Sequence, residues 1–514
     1  MALMQAKTEN GIVEGLPAGN QSITVFKGIP FAKPPVGDLR WKAPQPVENW
    51  DGVYQAYRFS DICPQPRFAS EGGNTLAANE FYVVEYPLNE DCLYLNVWTP
   101  AKSAEEKLPV AVYIHGGGFE TGYGYLNAYD GEGFAKRGIV MVTVNYRLNA
   151  FGFLAHPDLA AEDPHGSTGN YGTLDQVAGL KWVKKNIAAF GGDPDNMTVF
   201  GQSAGGFSVQ NMCACPLVAG DFKRAIMQSG GGLERGGLLE HRPLPEAEEI
   251  GKSFFEFLGV STVEEARKVD AQTIVDKYQE FKTGVFHMPF SPCIDGYALT
   301  EPLAQYFLSG KHPELDTMVG CTADEMRQKG AAAPAEEVVR ELAKTYQEDQ
   351  EEYLKVVRPE DPDYCAQFFE NRMGDDMLAG DIAWCENQAR LGRKPAYGYY
   401  FTYVPPGAEA TGAHHSVEHH FVFQTLLRSK RPYTGFDFNL SNELADYWAN
   451  FIKTGNPNPE GAEAWKPYTL GAPEFLEIGE ERKMIPAPGN EAVKFIVKHS
   501  FCLLYTSFPD TGKN

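Results

Sequence analysis

A serine flanked by glycines follows an apolar run near residue 200. Gly201-Gln202-Ser203-Ala204-Gly205 comes directly after Thr198-Val199-Phe200, which reads as a buried strand, and before a segment that reads as a helix. A strand, a GxSxG pattern and a helix in this order are typical of a nucleophile elbow, whose strained turn points the serine hydroxyl out of the sheet. The pattern predicts Ser203 as a nucleophile, with a chance surface turn as the alternative.

A glycine-rich segment earlier in the chain could supply hydrogen-bond donors. His115-Gly116-Gly117-Gly118-Phe119 directly follows the apolar run at residues 110–114. Because glycines leave backbone N–H groups open to a developing oxyanion, we expect donors from Gly117, Gly118 and Ala204. A phosphate-binding loop or a flexible turn is the alternative, although the spacing of residues 116–122 does not give the GxGxxG of a dinucleotide site.

A histidine cluster, GAHHSVEHH, lies far downstream at residues 412–420. Within it, His415 to His419 matches the HxxEH pattern of a class of zinc proteases, which would require a helix. Gly412 before the cluster and the β-like Phe421-Val422-Phe423 after it favour a loop, so we expect neither a metal nor another cofactor. Solvated side chains are the remaining interpretation for one or two of these histidines.

A catalytic acid would complete such a site. In a nucleophile-elbow fold the order along the chain is serine, acid, histidine, so the acid must lie between Ser203 and the histidine cluster. A strand-like run at residues 317–320 leads to Asp324 and Glu325. The residues alone do not choose between these two carboxylates.

The elements that position these residues predict an α/β fold. Runs at residues 93–98, 110–114, 140–144 and 197–200 read as buried strands, and residues 175–190 have the apolar spacing of a helix. Strands that alternate with helices imply a large, mostly parallel central sheet. Helical insertions are expected at about 235–290 and 334–395. Because no linker, repeat or low-complexity tract divides the chain, we predict a single domain over residues 1–514.

Composition restricts the class of protein. The chain has 514 residues, of which 43% are hydrophobic and 12% aromatic, and its formal net charge is -23. We therefore expect a globular protein without a nucleic-acid partner, because its surface would repel a phosphate backbone. No apolar run is long enough to span a membrane. The first ten residues lack the regions of a signal peptide, which predicts a cytoplasmic protein, or a secreted one if a leader has been removed.

The sequence resembles the type-B carboxylesterase family, which includes bacterial p-nitrobenzyl-type esterases and the cholinesterases. The resemblance extends along nearly the whole chain. Its blocks are FKGIPFA (26–32), PPVG (34–37), EDCLYLN (90–96), HGGGF (115–119), NYR (145–147), GNYG (169–172), FGGDP (190–194), the GxSxG pentapeptide, QSG (228–230) and TGNP (454–457). The resemblance implies an α/β-hydrolase fold with helices on both faces of the sheet, and hydrolysis of small carboxylic esters through an acyl-enzyme.

The resemblance also assigns site residues. The Asp-Glu-Gly of the family corresponds to Asp324-Glu325-Met326, which makes Glu325 the acid of the triad, and the family histidine falls on His415. Two departures, Gln202 where the family often has Glu and Glu120 directly after HGGGF, are expected to influence substrate binding. The loss of the carboxylate at position 202 argues against choline esters.

Three further expectations follow from the resemblance and the composition. Cys63 and Cys92 match a disulfide of secreted relatives, although a reducing compartment would keep them as thiols. The 32 Phe and 25 Tyr residues suit a pocket for aryl or hydroxycinnamoyl (feruloyl) esters. An adhesion protein that has kept only the fold is the alternative function, but Ser203, Glu325 and His415 are all present. The sequence gives no indication of the oligomeric state.

Overall fold

The computed structural model describes residues 2–67, 86–233, 241–284, 288–330, 332–408, 411–459 and 465–506. The strands are β1 Gln5–Lys7, β2 Ile12–Glu14, β3 Leu16–Pro17, β4 Thr24–Pro30, β5 Val53–Gln55, β6 Tyr94–Thr99, β7 Leu108–Ile114, β8 Val140–Val144, β9 Gly192–Gln202, β10 Arg224–Gln228, β11 Arg242–Pro243, β12 Cys293–Ile294, β13 Asp316–Thr322, β14 Ala396–Phe401, β15 Glu474–Ile478 and β16 Arg482–Pro486.

The α-helices are α1 Glu132–Ala135, α2 Asn149–Phe153, α3 Pro157–Glu162, α4 Tyr171–Asn186, α5 Ala204–Ala214, α6 Leu244–Leu258, α7 Val263–Lys268, α8 Ala271–Gly284, α9 Leu303–Leu308, α10 Glu336–Ala343, α11 Gln350–Val357, α12 Pro362–Arg390, α13 His419–Val422, α14 Gly435–Thr454 and α15 Glu491–Thr506. Short 3₁₀ helices span Gly37–Leu39, Asn127–Tyr129, Ile187–Phe190, Pro216–Val218, Lys344–Asp349 and Leu426–Arg428. None of the helices in the described ranges is long and apolar enough to cross a membrane.

The contacts divide the chain into two compact units. The first unit comprises Met1–Ala225, His241–Glu301 and His419–Glu460, and the second comprises Ile226–Glu240, Pro302–Glu418 and Gly461–Asn514. The prediction of a single domain stays a prediction.

The sheet of the first unit has the strand order β9-β7-β8-β6-β4-β3. Strand β7 runs parallel to both β8 and β9, whereas β6, β4 and β3 add antiparallel neighbours on one side. All five residues of β8 are buried, as expected for a parallel strand that is covered on both faces. The strands predicted at residues 93–98, 110–114, 140–144 and 197–200 are all present, the first of them shifted by one residue as β6.

In the second unit the strand order is β16-β15-β14-β13-β10. Strands β13, β14 and β15 are parallel, and β16 pairs antiparallel with β15. The six residues from Thr317 to Thr322 in β13 are buried, so this strand is a fixed base for the loop that follows it. The predicted α/β sheet with parallel strands is confirmed.

Helices occupy both regions that were predicted as helical insertions. The first region contains α6, α7 and α8, and the second contains α10, α11 and α12. Residues 235–240 and 285–287 of the first region lie outside the described residues. The helix predicted over residues 175–190 is α4, followed by the 3₁₀ helix Ile187–Phe190.

A buried ion pair fixes the end of β8 against α4. Nε and Nη2 of Arg147 donate to the two carboxylate oxygens of Asp175, each at 2.7 Å, and the backbone N–H of Arg147 donates to the same carboxylate at 3.0 Å. The side chains are 3% and 0% exposed. Because removal of one partner would leave the other charge buried and unpaired, at a cost of about 3–5 kcal/mol, the pair holds the two elements together.

Candidate active site

Ser203 occupies the turn between β9 and α5 in the first unit. The strand ends at Gln202 and the helix begins at Ala204, so a single residue makes the turn. The backbone of Ser203 has φ 58° and ψ -131°, a conformation that costs roughly 1–3 kcal/mol in a residue with a side chain. The strand, turn and helix context that the sequence predicted is present, and Ser203 remains partly accessible.

The two outer glycines of the GxSxG pattern are required by close backbone packing. A Cβ atom on Gly201 would stand 2.4 Å from the carbonyl oxygen of Gly205, and one on Gly205 would stand 2.1 Å from the carbonyl oxygen of Ile114. Both distances are far shorter than any Cβ contact that a folded protein tolerates. The glycines therefore let α5 start directly beside the end of β7.

The glycine-rich loop after β7 lies against the elbow. A Cβ on Gly116 would stand 2.5 Å from the carbonyl oxygen of Gln202 and 3.0 Å from Cβ of Ser203. Gly117 and Gly118 have φ values of 114° and 66°, a region in which only glycine is unstrained. Apart from Gly118 and its two neighbours in the chain, no described atom lies within 4 Å of where a Cβ on Gly118 would stand, so an incoming group has room beside this backbone.

The buried side chain of His115 holds the start of this loop. Its imidazole is 1% exposed and stacks on Tyr146 with 4.4 Å between the ring centroids. Burial lowers the pKa of His115 to about 4, so the ring is neutral and its Nδ1–H donates to the carbonyl oxygen of Gly116 at 2.8 Å. The hydroxyl of Tyr146 donates to the carbonyl oxygen of His115 at 2.9 Å. These bonds orient the start of the loop without adding a charge.

Two predicted donors, Gly117 and Gly118, directly follow Gly116, which lies beside Ser203, and the third, Ala204, directly follows the serine. Ala204 is the first residue of α5, where helix geometry leaves the backbone N–H groups without intrahelical acceptors. Gln202 is 2% exposed. The carboxylate of Glu120 accepts hydrogen bonds from Tyr278 and Lys282, both on α8.

Glu325 and His415 form a hydrogen-bonded pair in the second unit. Glu325 lies in the turn after β13 and is 1% exposed. One carboxylate oxygen accepts the backbone N–H of Thr322 at 2.9 Å, and the other accepts Nδ1–H of His415. Met326, where the family has glycine, keeps a left-handed backbone with φ 40° and is 49% exposed. The loop therefore retains the backbone conformation for which glycine is favoured.

Asp324 is the other carboxylate that the sequence offered as the acid. It forms hydrogen bonds with the backbone instead. Its Oδ2 accepts the N–H of Ala413 at 2.9 Å, and its own N–H donates to the carbonyl oxygen of Ala413 at 3.0 Å. A Cβ on Gly412 would stand 2.1 Å from the same Oδ2. Asp324 thus fixes the start of the histidine loop, while its neighbour Glu325 faces the imidazole.

The charges of this pair stabilise each other. Burial alone would raise the pKa of Glu325, but the charge of His415 and the hydrogen bond between them outweigh it and hold the pKa of Glu325 below its ordinary value. Burial alone would lower the pKa of His415, but Glu325, and to a smaller extent Glu418, raise it above its ordinary value. The carboxylate is therefore ionised and suited to stabilise an imidazolium.

Two buried carboxyls near this pair were not recognised from the sequence. Glu418 is 0% exposed, its Oε1 accepts Nε2–H of Gln228 at 3.4 Å, and burial together with the charge of Glu325 raises its pKa to about 7. Asp381 on α12 is 1% exposed, and burial raises its pKa well above the ordinary value. Glu418 stands three residues after His415 and was read only as part of HxxEH. Nothing in the sequence signals Asp381.

The remaining histidines of the cluster are buried rather than solvated. His414, His419 and His420 are 3%, 0% and 2% exposed. Nε2 of His419 bonds the hydroxyl of Tyr113 at 2.9 Å, and Nδ1 of His420 bonds that of Thr425 at 2.9 Å. The interpretation of one or two of these histidines as solvated side chains is therefore wrong. Among the described residues, no group of three or more His, Cys, Asp or Glu side chains could hold a metal ion.

The β-like interpretation of residues 421–423 is also wrong. His419–Val422 forms a single helical turn, which follows a turn at residues 415–418. A short apolar run cannot be assigned to strand or helix by periodicity alone, and tertiary packing decides here.

Cys63 and Cys92, which match a disulfide of secreted relatives, are both buried thiols in the first unit. A hydrogen bond with Cys63, and then burial, raise the pKa of the Cys92 thiol well above its ordinary value. The Cys92 thiol is therefore not activated as a nucleophile.

Known proteins resemble this chain along nearly its whole length. The profile of the Carboxylesterase family matches residues 3–496. A fumonisin B1 esterase of Sphingopyxis macrogoltabida is 33% identical over 491 residues, which cover 92% of this chain and 85% of that protein. A para-nitrobenzyl esterase of Bacillus subtilis (strain 168) is 33% identical over 502 residues, or 94% and 96% of the two chains.

Solved structures give the same result. A structure of a PNB esterase, 30% identical in sequence, aligns with a TM-score of 0.82 and covers 97% of this chain and 100% of its own. The chain therefore belongs to the carboxylesterase family, has the α/β-hydrolase fold and is a serine carboxylic ester hydrolase.

Proposed function

We propose that the protein hydrolyses carboxylic esters through a triad of Ser203, His415 and Glu325. The hydroxyl of Ser203 attacks the ester carbonyl while His415 accepts its proton, and Glu325 keeps the imidazole in the required tautomer and stabilises the imidazolium. The carbonyl oxygen becomes negative as the new bond forms. Backbone N–H groups of Gly117, Gly118 and Ala204 stabilise this oxyanion.

The reaction then proceeds through an acyl-enzyme. His415 donates the proton to the leaving alcohol as the ester bond breaks, and the acyl group remains on the oxygen of Ser203. A water molecule gives a proton to His415 and attacks the acyl carbonyl. The proton returns to the serine oxygen as the carboxylic acid leaves.

The observation that carries this proposal is the pair of Glu325 and His415. A fully buried carboxylate that accepts Nδ1–H of an imidazole, and whose pKa stays below its ordinary value, is the arrangement that a general base next to a serine requires. The strained turn at Ser203 and the loop with two left-handed glycines supply the other two parts of the mechanism.

The activity is tested with Ser203→Ala on p-nitrophenyl butyrate. Loss of the nucleophile is expected to lower kcat roughly a millionfold, by analogy with other serine triads. Ser253→Ala, which removes an exposed hydroxyl on α6, is the matched control and should keep the wild-type rate. Mass spectrometry after reaction with a fluorophosphonate should locate the label on Ser203. Activity retained by Ser203→Ala, or a label on another residue, would contradict the triad.

Aryl or hydroxycinnamoyl (feruloyl) esters are the substrates that we propose. The aromatic content of the chain supports this class, and a relative at 33% identity is named as a para-nitrobenzyl esterase. Gln202 presents no charge, so a cationic alcohol group would gain no ion pair there.

A substrate panel tests this class. We expect kcat/KM for p-nitrobenzyl acetate and methyl ferulate to exceed that for ethyl acetate and for acetylcholine at least tenfold. A preference for the aliphatic ester would contradict the substrate class, whereas the triad is judged by the Ser203 experiment.

A further inference from the structure

The loop that carries the oxyanion donors has an unusual backbone. Gly117, Gly118 and Phe119 have φ values of 114°, 66° and 60°, so three successive residues lie in the left-handed region. Phe119 carries a side chain and is strained in this conformation. A loop of this kind keeps one conformation only if contacts from outside hold it.

Part of the support comes from the backbone side. The N–H of Asn149 donates to the carbonyl oxygen of Phe119 at 2.7 Å, and Nδ2 of Asn149 donates to that of Glu120 at 3.2 Å. The N–H of Glu120 itself closes a turn on the carbonyl oxygen of Gly117 at 3.1 Å. The backbone of Glu120 is therefore an integral part of the loop that presents the donors.

The side chain of Glu120 supplies the other support. One carboxylate oxygen accepts the hydroxyl of Tyr278 and the other accepts Nζ of Lys282, so both oxygens are engaged on α8. The side chain of Glu120 is 14% exposed and that of Lys282 is 28% exposed. A carboxylate held in this way is not directed at a substrate.

Helix α8 is itself firmly anchored. Tyr278 and Phe281 are 0% and 2% exposed and pack with Phe254 and Phe290, whose rings are 5.2 Å apart between centroids. The ring of Phe281 lies 5.3 Å from that of Phe254. Helix α8, which carries both partners of Glu120, is therefore held in place by packing within the first unit.

We propose that Glu120, held by Tyr278 and Lys282, is a positioning residue that fixes the backbone donors of Gly117 and Gly118 for the oxyanion. The inference rests on the proposed ester hydrolysis and deepens it. Lys282 also neutralises a carboxylate that would otherwise repel the negative charge formed next to this loop. Because the effect passes through the loop, it concerns every ester and not one substrate.

The test compares Glu120→Gln, Tyr278→Phe and Lys282→Met in the full-length protein. With p-nitrophenyl acetate we expect kcat to fall about 10- to 100-fold, as for a weakened oxyanion donor, while KM stays within about twofold. The inhibition constant of an aryl trifluoromethyl ketone, whose adduct places an oxyanion in the hole, should rise by the same factor. A purely structural role would lower thermal stability without this split between kcat and KM.

Lys277→Met is the matched control, because Lys277 lies on the same helix and pairs with Glu280 rather than with the loop. It should keep the wild-type kcat. The double variant Glu120→Gln/Lys282→Met should be more active than Lys282→Met alone, because it no longer leaves the carboxylate unneutralised.

Each outcome is decisive. An inactive wild type would overturn the proposed function itself. An active wild type in which Glu120→Gln keeps kcat, or changes only KM for some esters, would overturn the positioning role alone. Unfolding of a variant is detected by its melting temperature, and Tyr278→Phe, which removes a single hydroxyl, then provides the measurement.

Discussion

Nδ1–H of His415 donates to the carboxylate of Glu325, and the other oxygen of that carboxylate accepts the backbone N–H of Thr322. The acid is therefore held from the strand side while it holds the imidazole. This relationship explains why the pKa of His415 is raised although the ring is largely buried. It also makes the pH dependence of the reaction a test of the pair.

Activity should increase with pH as His415 loses its proton. Because Glu325 raises the pKa of His415, the acid limb of kcat/KM should have its midpoint above the ordinary histidine value of about 6.5. Glu325→Gln removes the charge and should move this midpoint to lower pH. The same variant should lower kcat about 10³- to 10⁴-fold, because an amide does not stabilise the imidazolium. Rates with p-nitrophenyl acetate between pH 5 and 9 measure both effects. An unchanged midpoint would contradict the assignment.

Asp324→Asn should behave in the opposite way. The amide oxygen can still accept the N–H of Ala413, so the clip on the histidine loop is largely kept and kcat/KM should stay within about threefold of the wild-type value. The two substitutions, Asp324→Asn and Glu325→Gln, are at adjacent positions, and each replaces a carboxylate by an amide. Steady-state kinetics that ranked Asp324→Asn as the more damaged variant would identify Asp324 as the acid.

The comparison of these two carboxylates also shows how far the sequence could lead. The elbow and the glycine-rich loop were predictable from short sequence patterns. At the elbow, the close backbone packing of Gly201 and Gly205 requires glycine at both positions, which gives the GxSxG pattern. The residues around Asp324 and Glu325 do not show which of the two is the acid, and only the family resemblance favoured Glu325. The structure separates them because a backbone bridge from Ala413 uses Asp324.

Contacts between residues that are far apart in the chain could not be predicted from the sequence. Glu120 and Lys282 are 162 positions apart, and no periodicity predicts that they meet. The burial of Glu418 could not be predicted either, because a charged residue in a histidine-rich segment is expected to be solvated unless the elements packed around it are known. The parallel strands, in contrast, were predictable from continuous apolar runs such as β8.

Gly116→Ala tests the contact between the glycine-rich loop and the elbow. A Cβ at this position would stand 2.5 Å from the carbonyl oxygen of Gln202, which is backbone and cannot turn away as a side chain could. We expect a loss of about 1–3 kcal/mol in the free energy of unfolding and at least a hundredfold loss in kcat, since the donors move with the loop. Denaturant unfolding and p-nitrophenyl ester kinetics measure the two effects.

The control for this substitution is Gly435→Ala. Gly435 is exposed at the start of α14, and no described atom lies within 4 Å of where its Cβ would stand. Its stability and activity should match the wild type. Wild-type activity in Gly116→Ala would show that the close approach at the elbow is not required.

Glu418 should make the stability of the protein depend on pH between about 4.5 and 7. Burial raises its pKa to about 7 from the ordinary value of 4.5, so the folded protein holds this proton more tightly than the unfolded chain does. The resulting stabilisation is fully present below pH 4.5 and is lost as the pH rises through 7, with an upper limit of about 3 kcal/mol.

Glu418→Gln keeps an oxygen for Gln228 and does not titrate. The melting temperature of this variant relative to the wild type should therefore increase between pH 4.5 and 8. Glu337→Gln, which makes the same change at an exposed position on α10, is the matched control. A flat difference for Glu418→Gln would show that Glu418 is ionised throughout, and it would then also repel the negative charge of Glu325 at every pH.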